Sequence, residues 1–314
     1  MKSDIMKKLL EKQGYRFVGN HSSIKVCSWV KKALKNKDVC YKNTFYGIKT
    51  WSCMQSTCAT NFCTQRCLFC WRDIEHTLPK WSGEIDNPKD IVDCMVQEHR
   101  LYLQGLKGNP LTDPKRFQEA INPKHVALSL TGDACFYPKL PELVKEIHSR
   151  DMTTFIVTNG FNPEMLERLY EEEQPTQLYV TLAAPNKKVF NETCRPLIDD
   201  AWEKLMASLK ILQKFDRSVV RLTLVKDLNM IDIEGYADII KNLDIKFVEI
   251  KAAMNVGYAQ QRLSYSSMPR HEEIKDFSER LAKLIGWKII DEKENSRVVL
   301  LMKKDTSDRI MKFD

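Results

Sequence analysis

Six short runs rich in β-branched and aromatic residues punctuate the chain, and most give way to a longer stretch whose apolar residues recur at helical spacing. The runs are residues 45–51, 126–130, 154–158, 178–182, 219–225 and 247–250. The helical stretches are 89–103, 140–149, 163–172, 199–215 and 233–241, with a basic helical stretch at 27–37 and a helix and turn in the first 25 residues. Strands that alternate with helices pair in parallel, because each crossover helix carries the chain back to the same end of the sheet. The pattern predicts an α/β fold, either an incomplete βα barrel or an open doubly wound sheet; periodicity does not choose between them. A length of 314 residues with 43% hydrophobic and 29% charged residues allows a sizeable core and argues against disorder. The apolar runs fall far short of the roughly 20 residues that a membrane-spanning helix needs. The first residues carry no apolar secretory core, so the expected location is cytoplasmic, with no membrane partner.

In such folds the C-terminal ends of the strands build the site. The residues found there are unusual. The first run is followed by a cysteine loop, the second by Thr131, Gly132 and Asp133, the third by Asn159 and Gly160. The fourth reaches Thr181 and ends on Ala183, Ala184 and Pro185. Asn159 and Thr181 are placed to touch a bound ligand, or equally to satisfy backbone groups where a strand ends.

Seven of the ten cysteines lie between positions 27 and 70. Disulfides are disfavoured in a reducing compartment, and clustered cysteines there more often bind metal. Cys63, Cys67 and Cys70 form a CxxxCxxC motif. Three thiolates on one loop can each hold one iron of a 4Fe-4S cluster and leave the fourth iron open. A structural zinc, which wants four closed ligands, is the alternative, with Cys58 completing the set. Cys27, Cys40 and Cys53 are a second triplet. Placed at the end of the first strand, Cys53 would face the same end of the barrel as Cys63. These three could hold a second 4Fe-4S cluster with an open site, or be three buried thiols. Lys42 stands between two of them, positioned for a Schiff base with a ketone or for pairing with a carboxylate; a plain surface lysine is the alternative.

Cys63, Cys67 and Cys70, with Phe69 before the last, resemble the signature of the radical S-adenosylmethionine (SAM) superfamily. That resemblance implies a partial (βα)6, TIM-like barrel and an open iron that chelates SAM. It also implies one-electron cleavage of SAM to a 5′-deoxyadenosyl radical. The wider context includes Lys25 to Trp29, Cys40 to Lys42, Phe69 to Arg72, Ser129 to Asp133, Val157 to Gly160, Tyr179 to Pro185 and Val256 to Tyr258. Together these resemble the 4-demethylwyosine synthase family of wybutosine biosynthesis, over nearly the whole chain. That family joins a two-carbon unit from pyruvate to N1-methylguanosine 37, beside the anticodon of tRNA(Phe), and closes a tricyclic base.

The resemblance implies SAM as cofactor and, through the two triplets, two 4Fe-4S clusters; pyruvate would meet Lys42 or the open iron of the second cluster, the Thr131-Gly132-Asp133 turn would hold SAM, and Asn159 and Thr181 would touch SAM or substrate. It departs at Gly132-Asp133-Ala134, where the family usually carries Gly-Glu-Pro; the shorter acid shifts or weakens a contact to the SAM amino group. An N-terminal extension, 1–43, would supply ligands to the second cluster, and 44–314 would form the barrel with its C-terminal extension. Lacking the flavodoxin-like domain of eukaryotic members, the chain would take electrons from an external donor, a flavodoxin or ferredoxin. It would act as a monomer.

The formal net charge of +7 suits an RNA partner. Lys31, Lys32, Lys35 and Lys37 form one basic stretch, Lys187, Lys188 and Arg195 a second, Arg262 and Arg270 a third. Trp29, Trp51, Trp71 and Tyr258 are candidate surfaces for stacking an extruded base. A two-cluster radical SAM enzyme acting on a peptide or small molecule is the competing reading. An electron carrier or a zinc-bound nucleic-acid module is a third.

Overall fold

The computed structural model describes residues 2–313. Helix α1 (Lys2–Lys12) leads into a hairpin of β1 (Arg16–Val18) and β2 (Ser22–Ile24). Two short helices, α2 (Ser28–Leu34) and α3 (Tyr41–Tyr46), precede β3 (Cys53–Thr57). Next come α4 (Pro88–Lys107), α5 (Pro114–Ala120), β4 (His125–Leu128), α6 (Leu140–His148), β5 (Thr153–Thr158), α7 (Pro163–Glu172) and β6 (Gln177–Thr181). They are followed by α8 (Lys187–Cys194), α9 (Ala201–Leu212), β7 (Ser218–Leu224), α10 (Ile233–Ile240) and β8 (Phe247–Ala252). Helix α11 (His271–Ile285) and the hairpin β9 (Lys288–Lys293) and β10 (Val298–Met302) complete the order.

The sheet runs β1-β2-β3-β4-β5-β6-β7-β8-β10-β9. Its middle six strands, β3 to β8, pair in parallel, and an antiparallel hairpin caps each edge. The fold is the partial βα barrel that the resemblance to the radical SAM superfamily implies, one of the two architectures the strand pattern left open. Alternate residues of each strand face opposite ways, and two packed layers follow. Val126, Leu128, Ile156, Leu178, Val180, Val220 and Leu222 face the helices. Ala127, Phe155, Tyr179, Val219 and Phe247 face the interior. Sequence capping sets where the helices begin: Asn87 accepts from Lys89 N with Pro88 in the first turn, and Asn162 accepts from Met165 N with Pro163 in the first turn.

The first strand is not where the residue pattern predicts it. Residues 45–51 form the end of α3 and a 3-10 turn, and the strand is Cys53–Thr57. Phe45, Tyr46 and Ile48 look strand-like because they are large and apolar, but they fill the interior at the N-terminal ends of the strands. The correction matters for Cys53. It opens β3, opposite His125 at the start of β4, so it lies at the other end of the strand from the loop that carries Cys63.

Candidate active site

The loop after β3 is held by backbone bonds on several sides. Cys63 N donates to Leu78 O at 2.9 Å, Leu68 N to Thr193 O at 2.9 Å, and Arg66 N to Cys194 O at 3.0 Å. From the loop after β8, Arg262 donates to the carbonyls of Leu68 (3.2 Å), Cys70 and Arg72 (3.3 Å). Tyr258 N donates to Trp71 O at 2.9 Å, and Gly257, at φ +57, lies so close that a Cβ would overlap that same carbonyl oxygen. Arg262 is therefore committed to the loop and is not free to meet phosphates, contrary to the expectation from the basic residues alone.

Cys63, Cys67 and Cys70 line a cavity of about 170 Å³ together with Thr131, Gly132, Asp133, Asn159 and Thr181. Of the residues expected at the strand ends, Ala183 lines it as well, while Gly160, Ala184 and Pro185 do not. Asn159 Nδ2 lies 3.5 Å from Cys63 Sγ, and Arg72 Nε lies 3.2 Å from Cys70 Sγ. Burial pushes the Cys63 thiol up to about 11, against the pull of the Arg72 guanidinium. Cys194 at the end of α8 lies against Cys67 and, with burial, holds that thiol well above its ordinary value. Gly132 has φ +68, and a Cβ there would overlap Ala59 O, so this turn has no room for a side chain.

Asp133 is 3% exposed, and burial raises its pKa. Its carboxylate accepts from Cys135 N (3.0 Å), Thr158 Oγ1 (2.9 Å) and Asn159 N (2.7 Å). It thus ties the loop after β4 to the end of β5. Arg72 escaped the residue reading although it follows the motif by two positions; a cation beside three thiolates was the available signal.

The second triplet gathers deeper in the barrel. Cys27 and Cys40 stand immediately before α2 and α3, and neither side chain caps its helix. The thiols feel one another: neighbouring Cys27 raises Cys40, and both raise Cys53, which burial pushes up to about 12. Lys42 is beside them, its ammonium 4.7 Å from the Phe155 ring centroid and 4.6 Å from that of Tyr179. Burial, then Arg221, lowers its pKa, which favours the neutral, nucleophilic amine.

Three neighbours went unread in the sequence. Glu249, fully buried, accepts from Tyr41 Oη (3.0 Å), Tyr46 Oη (2.7 Å) and Arg221 Nη2 (2.7 Å). Lys251 lies over the Tyr41 ring at 5.2 Å. Arg221, Glu249 and Lys251 fall at period two on adjacent strands, the register that points inward.

Among the described residues no three His, Cys, Asp or Glu side chains converge on a single-ion site. The soft donors, the Arg72 cation and the fixed loop fit a 4Fe-4S cluster at Cys63, Cys67 and Cys70.

Comparison with known proteins agrees. Residues 57–240 match the radical SAM superfamily model, and residues 244–303 match the model for wyosine base formation. A tRNA 4-demethylwyosine synthase of Pyrococcus abyssi is 46% identical over 95% of this chain and 88% of its own length. The chain belongs to the 4-demethylwyosine synthase family. A relative in this family from Methanocaldococcus jannaschii is 35% identical, covering 95% of this chain and 96% of its own. A solved structure of TYW1 with a lysine–pyruvate adduct bound superposes with a TM-score of 0.87 at 34% identity, over 98% of both chains. A crystal structure of archaeal TYW1 gives 0.79 at 31% identity, over 95% of both. The resemblance read from the motifs is borne out, as is the radical SAM barrel, and membership brings one 4Fe-4S cluster and SAM. No helix among the described residues is long and apolar enough to cross a membrane.

Proposed function

We propose that this chain condenses N1-methylguanosine 37 of tRNA(Phe) with pyruvate to give 4-demethylwyosine. One observation carries the reading. The cavity with Cys63, Cys67 and Cys70 and the chamber with Lys42 are stacked along the same strands. On β5, Val157 lines the upper cavity and Phe155 lies under Lys42; on β6, Thr181 and Tyr179 divide in the same way. Residues two apart on a strand are about 7 Å apart, so a group activated above lies one layer from a group held below.

Cys63, Cys67 and Cys70 would hold the SAM-binding cluster, and Cys27, Cys40 and Cys53 a second 4Fe-4S cluster. When bound, the upper cluster and SAM supply the one-electron chemistry that activates the methyl group of the substrate base. Gly132 lets the turn close on Ala59 beside the ligand, Thr131, Asn159 and Thr181 offer hydrogen bonds, and Asp133 fixes the two loops and offers its remaining lone pair to the SAM amino group. Lys42 adds to the pyruvate ketone as a free amine and the carbinolamine loses water to form an imine, while Lys251 offers a hydrogen bond to the carboxylate. The lysine–pyruvate adduct in the related TYW1 structure supports this assignment. Residues 1–43 contribute Cys27, Cys40 and Lys42, and residues 44–314 the barrel. Electrons come from a separate flavodoxin or ferredoxin, and the chain works as a cytoplasmic monomer.

The test is anaerobic incubation of the reconstituted protein with SAM, a reductant, carbon-13 pyruvate and tRNA carrying N1-methylguanosine. Mass analysis of the nucleosides should show 4-demethylwyosine bearing the label. Unchanged N1-methylguanosine, with SAM cleaved, would favour a two-cluster enzyme for another substrate.

A further inference from the structure

A second recess, of about 510 Å³, opens beside the cavity and is walled by Gln13, Lys25, Trp71, Gly257, Tyr258 and Gln261. Trp71 lines both spaces. Its indole is held in place: Tyr15, 2% exposed, stacks on it at 6.2 Å with 20° between planes. Lys25 Nζ lies 5.0 Å from the Tyr15 ring and 5.2 Å from the Trp71 ring, and among the described residues it has no carboxylate partner.

Of the other candidate stacking residues, Trp51 donates to Glu119 at 2.5 Å and lies under Arg116, and Trp29 lies under Lys32. Trp71 and Tyr258 share the wall of the recess. Aromatic faces with an unpaired cation are the combination that holds an unpaired nucleotide, its base stacked and its phosphate neutralised.

We propose that this recess is a subsite for the nucleotide adjacent to the target base in the anticodon loop, stacked against Trp71 and Tyr258 with its phosphate on Lys25. This rests on the tRNA reading above. The occupant is an unpaired nucleotide because a base delivered into the neighbouring cavity must leave the loop stack, and the next nucleotide along the strand then falls on the far side of Trp71. The bonds from Tyr258 N and from the Arg262 guanidinium to carbonyls of the cysteine loop make this wall continuous with the cluster site.

The test measures dissociation constants for an anticodon stem-loop carrying N1-methylguanosine, and for stem-loops with an abasic residue on either side of it. The wild type should bind one abasic stem-loop about tenfold more weakly, within the range for one stacked base. Tyr258→Ala should cost a similar factor on the intact stem-loop and almost nothing on that abasic one, with Tyr258→Phe restoring affinity. Lys25→Gln should reduce the salt slope by about 0.7, one phosphate contact on a single strand. The subsite is overturned if both abasic stem-loops bind the wild type within twofold of the intact one, or if Tyr258→Ala costs the same on all three. Should the wild type convert the stem-loop while these variants bind normally, only the subsite falls. Should the wild type neither bind nor convert it, the tRNA reading falls and takes the subsite with it.

Discussion

Arg72, itself buried, places a permanent positive charge against Cys63 and Cys70. That charge eases the loss of the Cys63 proton that burial opposes, so the thiol becomes a thiolate when iron arrives. Replacing Cys63, Cys67 or Cys70 singly with Ala should abolish reductive SAM cleavage, because the open iron would lose its position. Persistent 5′-deoxyadenosine from a folded variant would remove that residue from the ligand set. Lys42 makes a separate prediction. Borohydride added with pyruvate should trap a covalent adduct, seen as a mass increase on the peptide containing Lys42. Lys42→Arg, which keeps the charge but offers no free amine, should trap none and form no tricyclic base; an adduct at undiminished yield would move the chemistry to another lysine. These residues differ in how legible they were. The cysteines announce themselves by spacing and Lys42 by lying between two of them. Arg221 and Glu249 sit within runs that read simply as strands and Lys251 just past one, and only the inward register of β7 and β8 singles them out.

The elements were read well where helices are long and capped, as at α7, whose observed span Pro163–Glu172 coincides with the stretch its periodicity predicts. They were read poorly where tertiary packing overrides composition. Helix α3 is built from aromatic residues that would suit a strand, and it is helical because those side chains plug the barrel and reach Glu249. The edge hairpins β1–β2 and β9–β10 passed unread because three-residue strands carry almost no periodicity, and the fully buried β10 shows no alternation. Helix α4 carries a pH prediction. His99 is 1% exposed, its Nε2 is 3.1 Å from Ala120 O, and burial lowers its pKa to about 4. The unfolded chain takes up that proton near pH 6.5, and the folded chain does so only near 4. The stability linked to a neutral His99 is therefore complete above about pH 6.5 and lost progressively as the pH falls toward 4. Thermal midpoints should drop across that window, and His99→Gln should flatten the fall. An identical slope in the variant would show that His99 does not titrate with folding.

At the scale of the molecule, the barrel was legible as six alternating units, and its radical SAM character as one motif. Less legible was the depth of the site. Read as strand-end residues, the two cysteine triplets would have crowded one face; the structure instead sets Cys53 at the start of β3 and Cys63 beyond its end, so the interior is used along its length. The account rests on that division, with SAM activation above and pyruvate held below. A Cys27→Ala, Cys40→Ala, Cys53→Ala triple variant tests it, once shown to be folded and to keep about four irons; the proposed second cluster requires about eight in the wild type. The decisive measurement is the nucleoside content of its tRNA after turnover, taken beside its yield of 5′-deoxyadenosine. The account predicts that 5′-deoxyadenosine continues to form and that no 4-demethylwyosine appears. Formation of 4-demethylwyosine at the wild-type rate would contradict it.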